Sequence, residues 1–505
     1  MRKFVRTFAV VIAVVMMALG GAGCVAKKAP NSETDLEIRL WEAGFGRDFM
    51  DKIVAAFKED HPEINVFINA TADSSIGELE TDGTINTTDL YFITMQSFLR
   101  YKDYLEPLTD MLEEDSDGVP LGSKLDEFIV SYMKDENGDT YTLPWGTSIG
   151  GILYNKDYFE EYGYEVPRTT DELVALVNKA ASKRGSDSSA PYVFLHLAAY
   201  WKYMLYAWQA QYDGYEAGLD AWKFIDPAAP EKGDAQLSSL TRNDTGRYKA
   251  VDALYHILSP ENALYPGSNG MGFTDSQTRF LNGQSLMMPN GNWIEYEMRN
   301  TQSKIKIGMM RTPVLSALGT KLGISDTLLG EVVSYIDGDT DRYDPEDIAD
   351  IDPEVIERVR EIRNIMYSEM PNHSAFIPNY SVAKEAAKEF LRFFYSDEAT
   401  QIFYDTLKLP SAVKFSDGRE LDTSGWSDFS KEATKLYSEA KLAFMVPTHP
   451  IFYRGGAISL WYHEPATAFT ATEKKDRLTL DQYWQKETNY WNVNWNNILE
   501  LAGLK

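Results

Sequence analysis

Residues 36–68 constrain the fold more than any other stretch. LEIRLW at 36–41 alternates apolar and polar residues, the period of a strand with one buried face. Gly44 and Gly46 break the run, and Asp48 is placed to cap a helix. Phe49, Ile53 and Phe57 stand four apart, on one face of that helix over 48–60. His61-Pro62 ends it, and INVFI at 64–68 reads as a second strand. A strand, a helix and a strand in roughly 30 residues form a βαβ unit. Such a unit implies a parallel sheet with a right-handed crossover, so an α/β fold is expected. At 505 residues the chain exceeds what one core serves, and two or three domains are expected.

Further along the chain, LYFIT at 90–94 is another buried strand, and DENGDT at 135–140 carries the Asn-Gly of a hairpin turn. Thr169 and Glu172 are spaced as a capping box for a helix with Leu173, Leu176, Val177 and Ala180 inward and Gly185 just past its end. Residues 192–215 are rich in Tyr and Trp. Residues 274–296 read as a helix, an Asn282-Gly283 turn, a strand over 285–288 and a Gly291-Asn292-Trp293 turn. The acidic, Pro-containing run 337–354 reads as an exposed loop or insertion. Residues 381–395 form an amphipathic helix, and Asp397 opens the next.

One stretch reads as a passage between lobes. YTLPWGTSIGGILYNKDYF at 141–159 places Trp145 before a run of small residues, then a short strand. Gly150 and Gly151 permit backbone angles that other residues avoid. A flexible crossing with a ligand surface beside it is the expectation here.

The chain carries 49 basic against 76 acidic residues, a net charge of −27, so it repels phosphate backbones and nucleic acid is excluded as a partner. Its 30 Tyr and 11 Trp exceed what packing alone needs, and they suit stacking on the apolar faces of a polar ligand. Cys24 is the single cysteine. It comes after a basic start (Arg2, Lys3, Arg6), an apolar run over 8–19 and Gly21-Ala22-Gly23. That pattern resembles a bacterial lipoprotein signal over 1–23, with Cys24 lipidated and 24–35 a tether on the outer face of the cell membrane.

Taken together, these segments resemble the extracellular solute-binding proteins of carbohydrate ABC importers, the group that includes maltose-binding protein. The resemblance rests on an ordered set: the lipoprotein start, the βαβ opening, TDLYFITMQSF with LEPL, the YTLPWGTSIGGILYNKDYFEEYG segment with PRTTDEL, FLNGQSLMMPNGNW, and EAAKEFLRFFYSDEATQIFYDTLKLPSAV. It implies a type II periplasmic-binding-protein fold of two α/β lobes joined by several crossings, with a ligand cleft between them. The lobes are expected at 36–147 with 315–410, and at 148–314 with 411–505. The resemblance implies a sugar or oligosaccharide ligand captured by lobe closure, permease subunits and a separate ATPase as partners, a monomeric receptor, and no catalytic residue, cofactor or metal.

The family likeness carries a binding role to Trp293, in Gly-Asn-Trp, and to Gln96, past the third strand. Trp145 and Ser148 flank the crossing; maltose-binding protein has a carboxylate where Ser148 stands. Trp41 and Glu42 end the first strand, where loops commonly hold ligands. Trp201 lies with Tyr200 in the aromatic run, and Tyr453 and Arg454 lie in a late segment that returns to the cleft in this family. A glycoside hydrolase is the rival class, since it too needs acidic, aromatic clefts, but it requires a pair of carboxylates at a set separation and no Asp or Glu here sits in such a motif. A binder of peptide, polyamine or another small polar solute on the same fold is the third class. Asp337-x-Asp339-x-Asp341 starts like a calcium loop, yet Arg342 and Ile348 replace its Gly and Glu.

Overall fold

The computed structural model describes residues 32–505, apart from 77, 78, 80–86, 96, 370, 371 and 458. Cys24 with the lipoprotein signal, and Gln96, lie outside the described residues. The strands, in chain order, are β1 (Asp35–Trp41), β2 (Asn65–Thr71), β3 (Leu90–Thr94), β4 (Asp115–Ser116), β5 (Val119–Pro120), β6 (Leu143–Pro144), β7 (Gly150–Asn155), β8 (Tyr192–Phe194), β9 (Ser285–Gly291), β10 (Ile307–Met309), β11 (Ile365–Tyr367), β12 (His373–Phe376) and β13 (Lys441–Ala443). Among the described residues they make two main sheets, and β4 pairs with β5 in a separate two-stranded sheet.

The first sheet has the order β2-β1-β3-β12-β6. Leu36, Ile38 and Leu40 of β1 are buried on the face covered by the helix Asp48–Asp60, which turns Phe49, Ile53 and Phe57 inward. The crossover returns the chain to β2, parallel to β1 from Asp35 opposite Asn65 to Trp41 opposite Thr71. β2 therefore runs three residues beyond the apolar segment that announces it. β3 joins β1 in parallel, and β12 and β6 close the sheet antiparallel. The helix Lys384–Phe394 buries Ala387, Phe390 and Leu391 beneath it.

The second sheet has the order β13-β11-β7-β9-β8, with β10 also on β7. β7 changes neighbour along one edge: β11 meets it at Gly150, and β10 takes over from Leu153 to Asn155. Its other edge pairs with β9 over five residues. The helix Thr170–Ser186 starts on a Thr169 hydroxyl that accepts from the Glu172 N–H. Only half of the capping box forms, because the Glu172 carboxylate turns to the Arg168 N–H at 2.7 Å. Gly185 lies inside this helix, whose cap is Asp187.

Two expectations change at this level. The acidic run 337–354 is helical in large part, with Asp344 and Asp352 capping Pro345–Ala349 and Pro353–Arg363. Asp337 pairs with the buried Arg363 at 2.7 Å, so part of this acidic run serves as helix caps and an ion-pair partner. The second concerns the return of the chain. Residues 315–365, expected with the first lobe, pack with the second sheet: Leu318, Leu329, Val333, Val359 and Ile365 share one core cluster with Ala207 and Ala443. The return comes between β11 and β12.

Candidate functional site

Two short crossings link the sheets side by side. One runs from β6 to β7 through residues 145–149, the other from β11 to β12, with Ser368, Glu369 and Asn372 its described residues. They are tied together: the Trp145 N–H donates to the His373 carbonyl at 3.0 Å, and His373 Nδ1 lies 3.2 Å from the Gly146 carbonyl. A carbonyl only accepts, so Nδ1 carries the proton and Nε2 is left as an acceptor. Burial holds the imidazole pKa below its ordinary value, against the pull of Glu369.

Beside the crossings lies a cavity of about 480 Å³ whose walls come from both sheets. Trp41, Gly44 and Phe45 close it from the first sheet, while Ser148, Tyr200, Tyr203 and Trp293 form the second side. Tyr203 and Trp293 rest on a patch of sheet that has no side chains. Gly150 and Gly291 are register partners in the β7–β9 ladder. A Cβ on Gly150 would lie 2.1 Å from the Tyr203 ring, and one on Gly291 would lie 1.9 Å from the Trp293 ring. The two rings meet edge to face at 6.0 Å, and Tyr200 meets Trp293 in the same way at 5.7 Å. Smallness is what the glycines supply. Neither Gly150 nor Gly151 has a positive φ, so the expected flexible hinge is a strand.

The polar groups of this cavity are Lys202, Glu297, Glu369, His373, Ser148 and Thr274. Lys202, at the start of the helix Lys202–Asp213, pairs with Glu369 of the second crossing. Glu297 accepts from Gln277 Nε2 at 2.6 Å, and burial raises its carboxyl pKa above the usual value. Burial, with Glu369 next to it, pushes the Tyr203 hydroxyl far up, so it stays a neutral donor. Flat rings and fixed donors and acceptors on opposite walls suit a polar ligand with apolar faces.

A second cavity of about 480 Å³ continues past the Lys202–Glu369 pair, sharing those two residues and Ala199 with the first. Thr94, Tyr206, Asn372, Ser459, Trp461 and Tyr462 line it.

The expected site residues divide. Trp41, Ser148 and Trp293 line the first cavity together with Tyr200. Glu42 adjoins Trp41 but is not among the residues lining either cavity. Trp145 is a core residue: it is fully buried, stacks on Phe49 at 6.1 Å and donates from Nε1 to the Ile93 carbonyl at 3.1 Å. Trp201 is fully buried too, and its Nε1 donates to His196 Nδ1 at 2.9 Å. Tyr453 and Arg454 lie outside both cavities, with Arg454 exposed and its guanidinium 5.2 Å from the Tyr453 ring. Their neighbour Phe452 packs on Phe224. Lys202, Glu369 and His373 are site residues that the sequence does not single out. Lys202 sits inside the aromatic run between Trp201 and Tyr203, where Tyr200 is half-buried and Tyr203 is buried in the core with one side on the cavity. Glu369 and His373 sit in no motif.

The family profile described as bacterial extracellular solute-binding protein matches residues 43–401. The chain is 24% identical over 287 residues to the diacetylchitobiose binding protein NgcE of Streptomyces coelicolor, covering 53% of this chain and 54% of that protein, about half its length. It is 24% identical over 315 residues to the melibiose/raffinose/stachyose-binding protein MelE of Bacillus subtilis, covering 61% of this chain and 68% of that protein. Among solved structures, the bacterial solute receptor AcbH is similar with a TM-score of 0.60 at 14% identity, over 92% of this chain and 100% of that one. RafE in complex with raffinose is similar with a TM-score of 0.54 at 17% identity, over 92% of this chain and 99% of that one. These structures share the two-lobed α/β fold. With its two sheets, paired crossings and cleft, and with a family profile matching most of its length, this chain belongs to the bacterial extracellular solute-binding proteins.

Proposed function

We propose that this chain captures a sugar or oligosaccharide in the cleft between its two sheets and delivers it to the permease subunits of an ABC importer. The observation that carries this reading is the first cavity, where Trp41, Tyr200 and Trp293 surround a space that also holds Lys202, Glu369 and His373. Sugar rings pack their C–H faces on aromatic rings and offer hydroxyls to charged and imidazole groups. Relatives named for sugar binding support the ligand class. Among the described residues no helix is long and apolar enough to cross a membrane. In this reading a lipid on Cys24 holds the receptor at the outer membrane face, and a separate ATPase drives import. The first lobe is built on the sheet β2-β1-β3-β12-β6 and the second on the sheet β13-β11-β7-β9-β8. Lobe closure buries the ligand.

The test is affinity of Trp41→Ala and Trp293→Ala for the sugar the unmodified protein binds. Each is expected to lose at least tenfold with the circular dichroism spectrum unchanged. Unaltered affinity in both variants would contradict this site.

A further inference from the structure

We propose that the cleft has a second binding half, built by the chain beyond the family match, and that the ligand is an oligosaccharide long enough to extend past the Lys202–Glu369 pair into it. This rests on the sugar-binding reading above. The family profile stops at residue 401, yet Met445, Ser459, Trp461, Tyr462 and Glu464 form one wall of the second cavity. That wall carries a ligand platform. Tyr462 is 53% exposed, and its ring stacks on Tyr490 of the helix Leu480–Leu501 with centroids 3.3 Å apart and planes 11° apart. Beside it, the indole N–H of Trp461 has no acceptor among the described residues.

The wall is held from behind by a buried ion pair. Glu487 is fully buried on the last helix and accepts from Arg247 at 2.6 Å and from Trp491 Nε1 at 2.8 Å. The same carboxylate accepts the backbone N–H of Tyr462 at 2.8 Å and of His463 at 2.9 Å. Arg247 in turn donates twice to the Leu460 carbonyl, at 3.0 and 2.7 Å. Four bonds from this pair therefore hold the backbone of 460–463 before any ligand arrives, two at the Leu460 carbonyl and one each at the Tyr462 and His463 N–H, and the His463 Nδ1 lies 2.9 Å from the same carboxylate. A loop so fixed loses little freedom on binding, which is what a specificity surface needs. Each cavity alone, at about 480 Å³, falls in the size range of a ligand site. One sugar ring cannot span both.

The experiment is titration calorimetry of the protein and of Tyr462→Ala with two length series: galactose, melibiose, raffinose and stachyose, and chito-oligosaccharides of one to six units. Tyr462 is exposed, so its removal leaves the fold in place. The expected result is an affinity that rises at least tenfold at one chain length, with Tyr462→Ala erasing that rise while the shorter members of the series change less than twofold. Equal affinity for short and long members, or a length step that survives Tyr462→Ala, would overturn the second half. Failure of every sugar to bind would overturn the sugar reading itself, and the second half with it.

Discussion

Gly150 and Gly291 face each other across the β7–β9 ladder, and each leaves room for one aromatic ring of the cleft, Tyr203 and Trp293 respectively. The floor of the first cavity is thus set by the absence of two side chains. Replacing either glycine by alanine drives a methyl group into a ring with no slack. Overpacking of this kind costs about 1–3 kcal/mol. Gly291→Ala and Gly150→Ala are expected to lower the melting temperature by a few degrees and ligand affinity at least tenfold. Paired thermal melts and ligand titrations check this, and normal affinity in both would mean that the rings do not form the floor.

Trp145 and Trp293 are expected to part company under mutation. Trp145→Phe leaves the buried Ile93 carbonyl without its indole donor and opens a gap beside Phe49. Loss of the bond and the filled volume destabilises by about 2–4 kcal/mol. Urea unfolding should report that loss, while the ligand affinity of the folded variant stays within about twofold of normal.

Arg247 holds Glu487 ionised inside the protein. Burial raises the carboxyl pKa, but Arg247 and the bonds from His463, Trp491 and Tyr462 outweigh it and hold the pKa below the usual range. Arg247→Met removes the counter-charge and leaves a buried carboxylate. Breaking a buried pair from one side costs about 3–5 kcal/mol. The expected outcome is a large drop in urea midpoint, and an Arg247→Met protein as stable as the unmodified one would contradict the role of the pair.

Asp213 gives a pH signature. Burial pushes its carboxyl up to about 6, although the Gly246 N–H at 2.8 Å pulls the other way. A raised carboxyl favours the fold when protonated. Its contribution is complete below the unfolded value of 3.8 and is lost as pH rises through about 6. The unmodified protein should therefore lose stability relative to Asp213→Asn between pH 4 and 7, by at most about 3 kcal/mol. The asparagine keeps an oxygen for Gly246, so melting curves of the two proteins across that window isolate the charge. Parallel curves would contradict the raised value.

Much of the architecture is legible in the sequence because it is periodic. β1, the helix Asp48–Asp60 and β2 are set by alternation and four-residue spacing, which burial imposes directly. The helices Lys384–Phe394 and Asp397–Leu407 are legible in the same way. The site is legible only in part. Trp41, Ser148 and Trp293 reach the cavity, whereas Trp145 and Trp201 are core, and nothing local distinguishes an indole that faces solvent from one that caps a sheet. Glu369 becomes a site residue through the pairing of two crossings more than 200 residues apart in the chain, which no window of sequence contains. The acids of 337–354 mislead because helix caps and loops draw on the same residues.

The central claim is that the cleft binds a sugar reversibly. Isothermal titration calorimetry of the protein against a panel of mono- and oligosaccharides tests it most directly. The predicted result is saturable heat at one ligand per chain for at least one sugar, reduced in Trp293→Ala. Heat that continues after saturation would mean turnover by a hydrolase, and silence across the whole panel would mean a ligand of another class; either result contradicts the claim.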